Sequence, residues 1–80
     1  SLRIGKHDLD IRKGQAVKFL DQGDKIKIEI MLRGREFQQM PRAFEVVKQF
    51  ITDLQAERTI RIEQVVERQA NKITAIVAKG

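Results

Sequence analysis

Residues 25–32 read Lys25-Ile26-Lys27-Ile28-Glu29-Ile30-Met31-Leu32. Ile26, Ile28, Ile30 and Leu32 alternate with Lys25, Lys27, Glu29 and Met31. A period of two sends the two sets to opposite sides of an extended chain, so the stretch reads as a strand. One side is apolar and the other mostly charged, as in a sheet wetted on one face.

Working back from this strand, Gly23-Asp24 marks the end of a helix, with Gly23 placed for a left-handed C-terminal cap. That helix is expected over about Asp8–Gln22. Asp8 complements its positive end, and Ile11, Ala16, Phe19 and Leu20 supply a loose apolar stripe. Gly14 lies inside it at a cost of about 1 kcal/mol relative to Ala. Leu2 and Ile4 alternate with Arg3, which suits the end of an earlier strand.

Working forward, Arg33-Gly34-Arg35-Glu36 is an exposed turn. A second helix starts near Pro41, whose missing N–H is harmless in a first turn, and ends near Ala56. Ala43, Val47, Phe50 and Leu54, with Phe44 and Ile51, follow the 3.6-residue period. Ile60, Ile62 and Val66 mark a further strand, and Ile73, Ala75 and Val77 the last. Arg68-Gln69-Ala70-Asn71 is the hairpin loop between them, with Asn71 expected at positive φ.

The expected fold is therefore an α/β two-layer sandwich with element order β-α-β-α-β-β. Strand–helix–strand units cross over right-handed. With the strands in sequence order, both helices cover one face of a four-stranded mixed sheet and leave the other open.

Eighty residues make one domain with a thin core. There is no cysteine, so no disulfide supports it, and the 41% apolar content must suffice. No apolar run reaches the roughly 18 residues that cross a bilayer, and the N-terminus does not read as a signal peptide. The chain reads as soluble and cytoplasmic.

A catalytic site is hard to assemble from these residues. His7 is the one histidine, and Ser1, Thr52, Thr59 and Thr74 lie in no nucleophile context. HExxH, P-loop and GxGxxG patterns are missing. His7-Asp8-Leu9-Asp10 reads as a helix start dressed with acids, not as a metal site. No enzyme activity and no cofactor are expected.

Net charge is +5, and residues 1–35 hold nine cations against five anions. Such a bias favours polyanionic partners. The chain has four phenylalanines and no tyrosine or tryptophan. Phe19, Phe44 and Phe50 sit at core spacing, which leaves Phe37 exposed. One ring is too few for a stacking platform, so RNA would be bound through phosphates, shape and 2′-hydroxyls. Arg12 and Lys18 on the first helix, with Arg33 and Arg35 on the turn, read either as such a surface or as an ordinary solvated face.

The run His7-Asp8, Arg12, Ala16, Lys18-Phe19-Leu20 and Gly23-Asp24-Lys25-Ile26-Lys27-Ile28, followed by Arg33-Gly34-Arg35-Glu36, resembles the C-terminal domain of translation initiation factor 3. The likeness is strong over residues 6–36 and by pattern over 43–79. It implies the β-α-β-α-β-β fold and a partner, the small ribosomal subunit and its RNA. It further implies a block on premature joining of the large subunit and support for start-codon selection.

Carried over residue by residue, the RNA-binding set is Arg12, Lys13, Lys18, Arg33 and Arg35. Lys72 stands in for the arginine that the family often has in its last hairpin, where this chain reads Ala70-Asn71-Lys72. The family's His-Gly entry to the second helix is replaced by Gln39-Met40-Pro41-Arg42-Ala43. The resemblance makes residues 1–80 one ribosome-binding domain, without the family's N-terminal domain and linker. It is expected to act as a monomer, with no membrane or small-molecule substrate. The rival expectations are a general RNA-binding module in ribosome assembly and a protein-interaction domain using the open sheet face.

Overall fold

The computed structural model describes residues 5–80. The elements are helix α1 (Lys6–Asp21), strand β1 (Ile26–Met31), a 3-10 helix (Gly34–Gln39), helix α2 (Met40–Glu57), strand β2 (Ile60–Gln69) and strand β3 (Lys72–Lys79). The strands form one antiparallel sheet in the order β1-β3-β2.

This corrects the expected four-stranded mixed sheet. The strand read at residues 2–5 lies outside the described residues except for Gly5, which caps the start of α1 in extended conformation. The remaining three strands do not follow sequence order. The tight β2–β3 hairpin forces those strands antiparallel, and β3 then pairs antiparallel with β1 on its other side. Both edge strands thus point the same way, and α2 carries the crossover between them.

Both helices nevertheless lie on one side, because they share a single core with the sheet. Ala16 and Leu20 of α1 meet Ala43, Val47, Ile51 and Leu54 of α2 over Ile73, Ala75 and Val77 of β3. The central strand is thus the buried one. Ile26, Ile28 and Ile30 are only half-buried, since β1 is an edge strand. Phe19 is 49% exposed and Ile11 48%, although both fall on the expected apolar stripe of α1. The stripe that packs is narrower, reduced to Ala16 and Leu20 with Val17 partly covered.

α1 ends as its sequence predicts. Gly23 takes φ +87°. Its N–H donates to the Leu20 carbonyl at 2.9 Å and the Asp24 N–H to the Phe19 carbonyl at 3.0 Å. These are the paired bonds of a Schellman cap. The hairpin differs from expectation: its loop is Ala70-Asn71 alone, and the left-handed residue is Ala70, with φ 56°. A two-residue turn with positive φ at its first position ordinarily takes glycine there.

β2 carries two irregularities, between Ile62 and Gln64 and between Gln64 and Glu67. The second leaves two valines opposite Ala75. Val66 packs on the core while Val65 is 68% exposed. Such bulges disturb an edge that could otherwise template further pairing.

Candidate nucleic-acid interface

α1 and β1 run antiparallel because only residues 22–25 separate them. This connectivity gives the domain two distinct ends. At one end meet the start of α1, the exit of β1, the 3-10 helix, the start of α2 and the β2–β3 hairpin. The Leu32 N–H donates to the Asn71 carbonyl at 2.7 Å, which fixes the hairpin tip beside the exit of β1. At the other end lie the last turns of both helices and the start of β2.

The hairpin end receives Arg33, Arg35 and Lys72 of the predicted set. Arg33 and Arg35 are exposed and form no ion pair among the described residues. Arg33 has its backbone held in place: its N–H donates to Glu36 Oε1 at 3.1 Å, across the first turn of the 3-10 helix. Gly34 takes φ +53°, a conformation that favours glycine and turns the chain between the two arginines. Lys72 lies opposite Met31, and its ammonium is 3.7 Å from Glu29 on the open sheet face.

Arg12 is exposed on the rim of an apolar groove between α1, β1 and α2, lined also by Leu9, Phe19, Ile28 and Phe50. Lys18 lies in the last turn of α1, at the opposite end from Arg33 and Arg35. The length of β1 separates them by on the order of 20 Å. Lys13 faces α2, where Asp53 accepts at 3.0 Å and Asp10 lies at 3.2 Å. Those carboxylates, Asp53 foremost, raise the Lys13 amine above its ordinary value.

The charge economy of the two ends differs. At the end holding Lys18, Arg58 is paired with Asp21, and Arg61 and Lys25 with Glu63. Three other cations at the hairpin end, Arg33, Arg35 and Arg42, form no such pair among the described residues. Arg42, in the first turn of α2, and Arg68, whose Nε donates to the Ala70 carbonyl at 2.9 Å, lie outside the set expected from the sequence. Neither belongs to a motif. Only the placement of the hairpin beside the 3-10 helix gathers them, although Pro41 already marked Arg42 as a helix-entry residue. Arginine forks that form no ion pair within the domain can bind phosphates bidentately.

Among the described residues, no group of three or more His, Asp or Glu could hold a metal ion, and no helix is long and apolar enough to cross a membrane.

Comparison with known proteins agrees with the resemblance read from the residues. The family model described as translation initiation factor IF-3, C-terminal domain, matches residues 1–80. A translation initiation factor IF-3 from Parasynechococcus marenigrum is 38% identical over 71 residues, covering 89% of this chain and 32% of the relative. One from Prochlorococcus marinus is 41% identical over 59 residues, covering 74% of this chain and 31% of the relative. One from Streptomyces avermitilis is 43% identical over 53 residues, covering 66% and 22%. The chain spans about a third or less of the length of these curated relatives. The chain belongs to the translation initiation factor IF-3 family, matching its C-terminal domain, and that family is one of initiation factors rather than enzymes.

Proposed function

We propose that this domain binds the RNA of the small ribosomal subunit, chiefly through its hairpin end. The bound domain then prevents premature joining of the large subunit and supports start-codon selection. The observation that carries the reading is the contrast between the arginines of the two ends: the guanidinium groups of Arg33 and Arg35 form no ion pair among the described residues, whereas those of Arg58 and Arg61 are paired. Family membership supplies the class of partner.

The mechanism is electrostatic docking followed by steric exclusion. Arg33 and Arg35 neutralise phosphates and release counterions, and Arg12 extends the contact along the groove. Lys72 joins by exchanging Glu29 for a phosphate. Lys18 reaches RNA only where the bound surface continues to the far end. Lys13 contributes least, being engaged by two carboxylates. No covalent step is involved, and the domain acts as a cytoplasmic monomer.

Co-sedimentation with purified small subunits across a salt series tests this. About four phosphate contacts give a slope of log affinity against log salt of about −3 to −4. Arg33→Ala and Arg35→Ala each weaken binding and flatten the slope, and excess domain keeps added large subunits from joining. A salt-independent affinity, or full affinity in the Arg33→Ala/Arg35→Ala double variant, would sink the proposal.

A further inference from the structure

Phe37 sits in the 3-10 helix that follows Arg33, and it is 42% exposed. A half-exposed phenyl ring in a segment that also carries Arg33 and Arg35 gains nothing from water. Electrostatic docking through phosphates does not use it either. Its local geometry gives it a task.

In a 3-10 helix, residues three apart eclipse one another. The residue three before Phe37 is Gly34, which has no side chain to lay over the ring. A Cβ built at Gly34, where φ is +53°, would meet nothing within 4 Å, and the ring's own exposure leaves it open to a ligand. Arg33 precedes Gly34, with the Glu36 carboxylate held at its backbone N–H, and Arg35 lies about a third of a turn from Phe37. A flat apolar surface flanked by guanidinium groups matches a nucleotide: the base on the ring, the phosphates on either side on the forks.

The other exposed ring, Phe19, lies near the C-terminal end of α1, the end opposite Arg33 and Arg35. One ring holds one base. The matching ligand is therefore not a single-stranded run but one unpaired nucleotide, a bulge or a loop residue, within structured RNA.

We propose that Phe37 stacks on one unpaired base of the bound RNA while Arg33 and Arg35 hold the adjacent phosphates. The inference rests on the RNA-binding reading of this end and adds to it the kind of RNA feature selected. The selection is for an unpaired base and not for its identity, because every base offers a π-face.

Three RNA hairpins with one common stem test it: fully paired, with a single bulged adenosine, and with an abasic nucleotide at the bulge. Binding constants are measured for the wild-type domain, for Phe37→Leu and for Arg35→Ala. Phe37→Leu keeps apolar bulk, and circular dichroism and melting confirm its fold. The wild type is expected to bind the adenosine bulge roughly 5- to 150-fold tighter than the abasic one, the range for one stacked base. Phe37→Leu loses most of that preference but keeps its affinity for the paired stem. Arg35→Ala weakens binding to all three and flattens the salt slope by about 0.7–0.9. Equal wild-type affinity for the adenosine and abasic bulges overturns the stacking role and leaves phosphate docking standing, as does an undiminished preference in Phe37→Leu. Failure of the wild type to bind any of the three at low salt overturns both.

Discussion

The Lys13 ammonium donates to the Asp53 carboxylate at 3.0 Å, joining the middle of α1 to the second half of α2. Asp10 shares the ammonium at 3.2 Å, and Gln49 donates to the other Asp53 oxygen at 2.9 Å. A cation that family likeness offers to RNA is thus committed to interhelical packing.

Lys13→Met is therefore expected to lower the melting temperature while leaving small-subunit affinity close to that of the wild type. The hydrogen bond from Lys13 holds Asp53 below its ordinary 3.8, and Asp53 in turn holds Lys13 above 10.5. The depressed carboxylate contributes its stability above its unfolded pKa and loses it as pH falls through the lower folded value. The raised amine contributes below 10.5 and loses its share as pH climbs past the folded value. The melting difference between wild type and Lys13→Met is then flat around neutrality and closes at both extremes. A loss of subunit affinity as large as that of Arg35→Ala would return Lys13 to the RNA surface.

Ala70 holds φ 56° at the first position of the hairpin turn. A left-handed conformation costs a non-glycine residue about 1–2 kcal/mol. Glycine would remove that strain but lose about 0.4–1 kcal/mol to its freer unfolded chain. Ala70→Gly is expected to stabilise by up to about 1 kcal/mol, raising the melting temperature of a domain this size by a few degrees. Asn71 is not at positive φ, so Asn71→Gly should gain nothing and lose the side-chain bond to the Leu32 carbonyl at 3.4 Å. Calorimetry on both variants separates the two positions; greater stabilisation by Asn71→Gly would contradict the turn described.

The local parts of the fold were legible because their signals are local. Gly23 announced the end of α1, Pro41 the start of α2, and the alternation in residues 25–32 gave β1. The sheet order was not, since the position of β3 between β1 and β2 is decided by long-range pairing that no short window contains. The half-burial of Ile26, Ile28 and Ile30 was not legible for the same reason: alternation shows which side faces inward, not whether a second strand covers the edge. At the candidate interface, the arginine turn was readable from Arg33-Gly34-Arg35. The partners that engage Lys13 and Lys72 come from residues distant in sequence, Asp53 and Glu29, and became visible only in three dimensions.

Leu54 and Phe50 separate burial from size. Both lie on the inward side of α2, but Leu54 is fully buried while Phe50 is half-buried on the groove. Leu54→Ala should destabilise by about 2–5 kcal/mol, through lost transfer energy and the cavity left behind. Domains commonly hold only about 5–15 kcal/mol in total, so this variant is near the limit of folding. Phe50→Ala should be the milder change despite the larger side chain, because part of the ring is already in water. Urea unfolding of both variants reads the order directly, and a greater loss for Phe50→Ala would mean that the groove is closed in solution.

Arg58 clamps the opposite end. Its Nε and one terminal nitrogen donate to the two oxygens of Asp21 at 2.8 and 3.1 Å, tying the residue after α2 to the last residue of α1. The hydrogen bonds from Arg58 hold the Asp21 carboxyl below its ordinary 3.8. A depressed carboxylate stabilises at pH above its unfolded value and ceases to do so as pH falls through the folded one. Asp21→Asn should therefore melt below the wild type at neutral pH, and the two curves should converge in acid. Because the pair is exposed, 1 M salt should also narrow the gap. Arg58→Lys keeps the charge but loses the two-pronged geometry, so it should resemble Asp21→Asn more than wild type. Subunit affinity should be unchanged in both variants at moderate salt, since this end lies opposite the proposed Arg33–Arg35 surface. A fall in affinity without a fall in melting temperature would instead place the helix C-terminal end, Lys18 included, on the RNA.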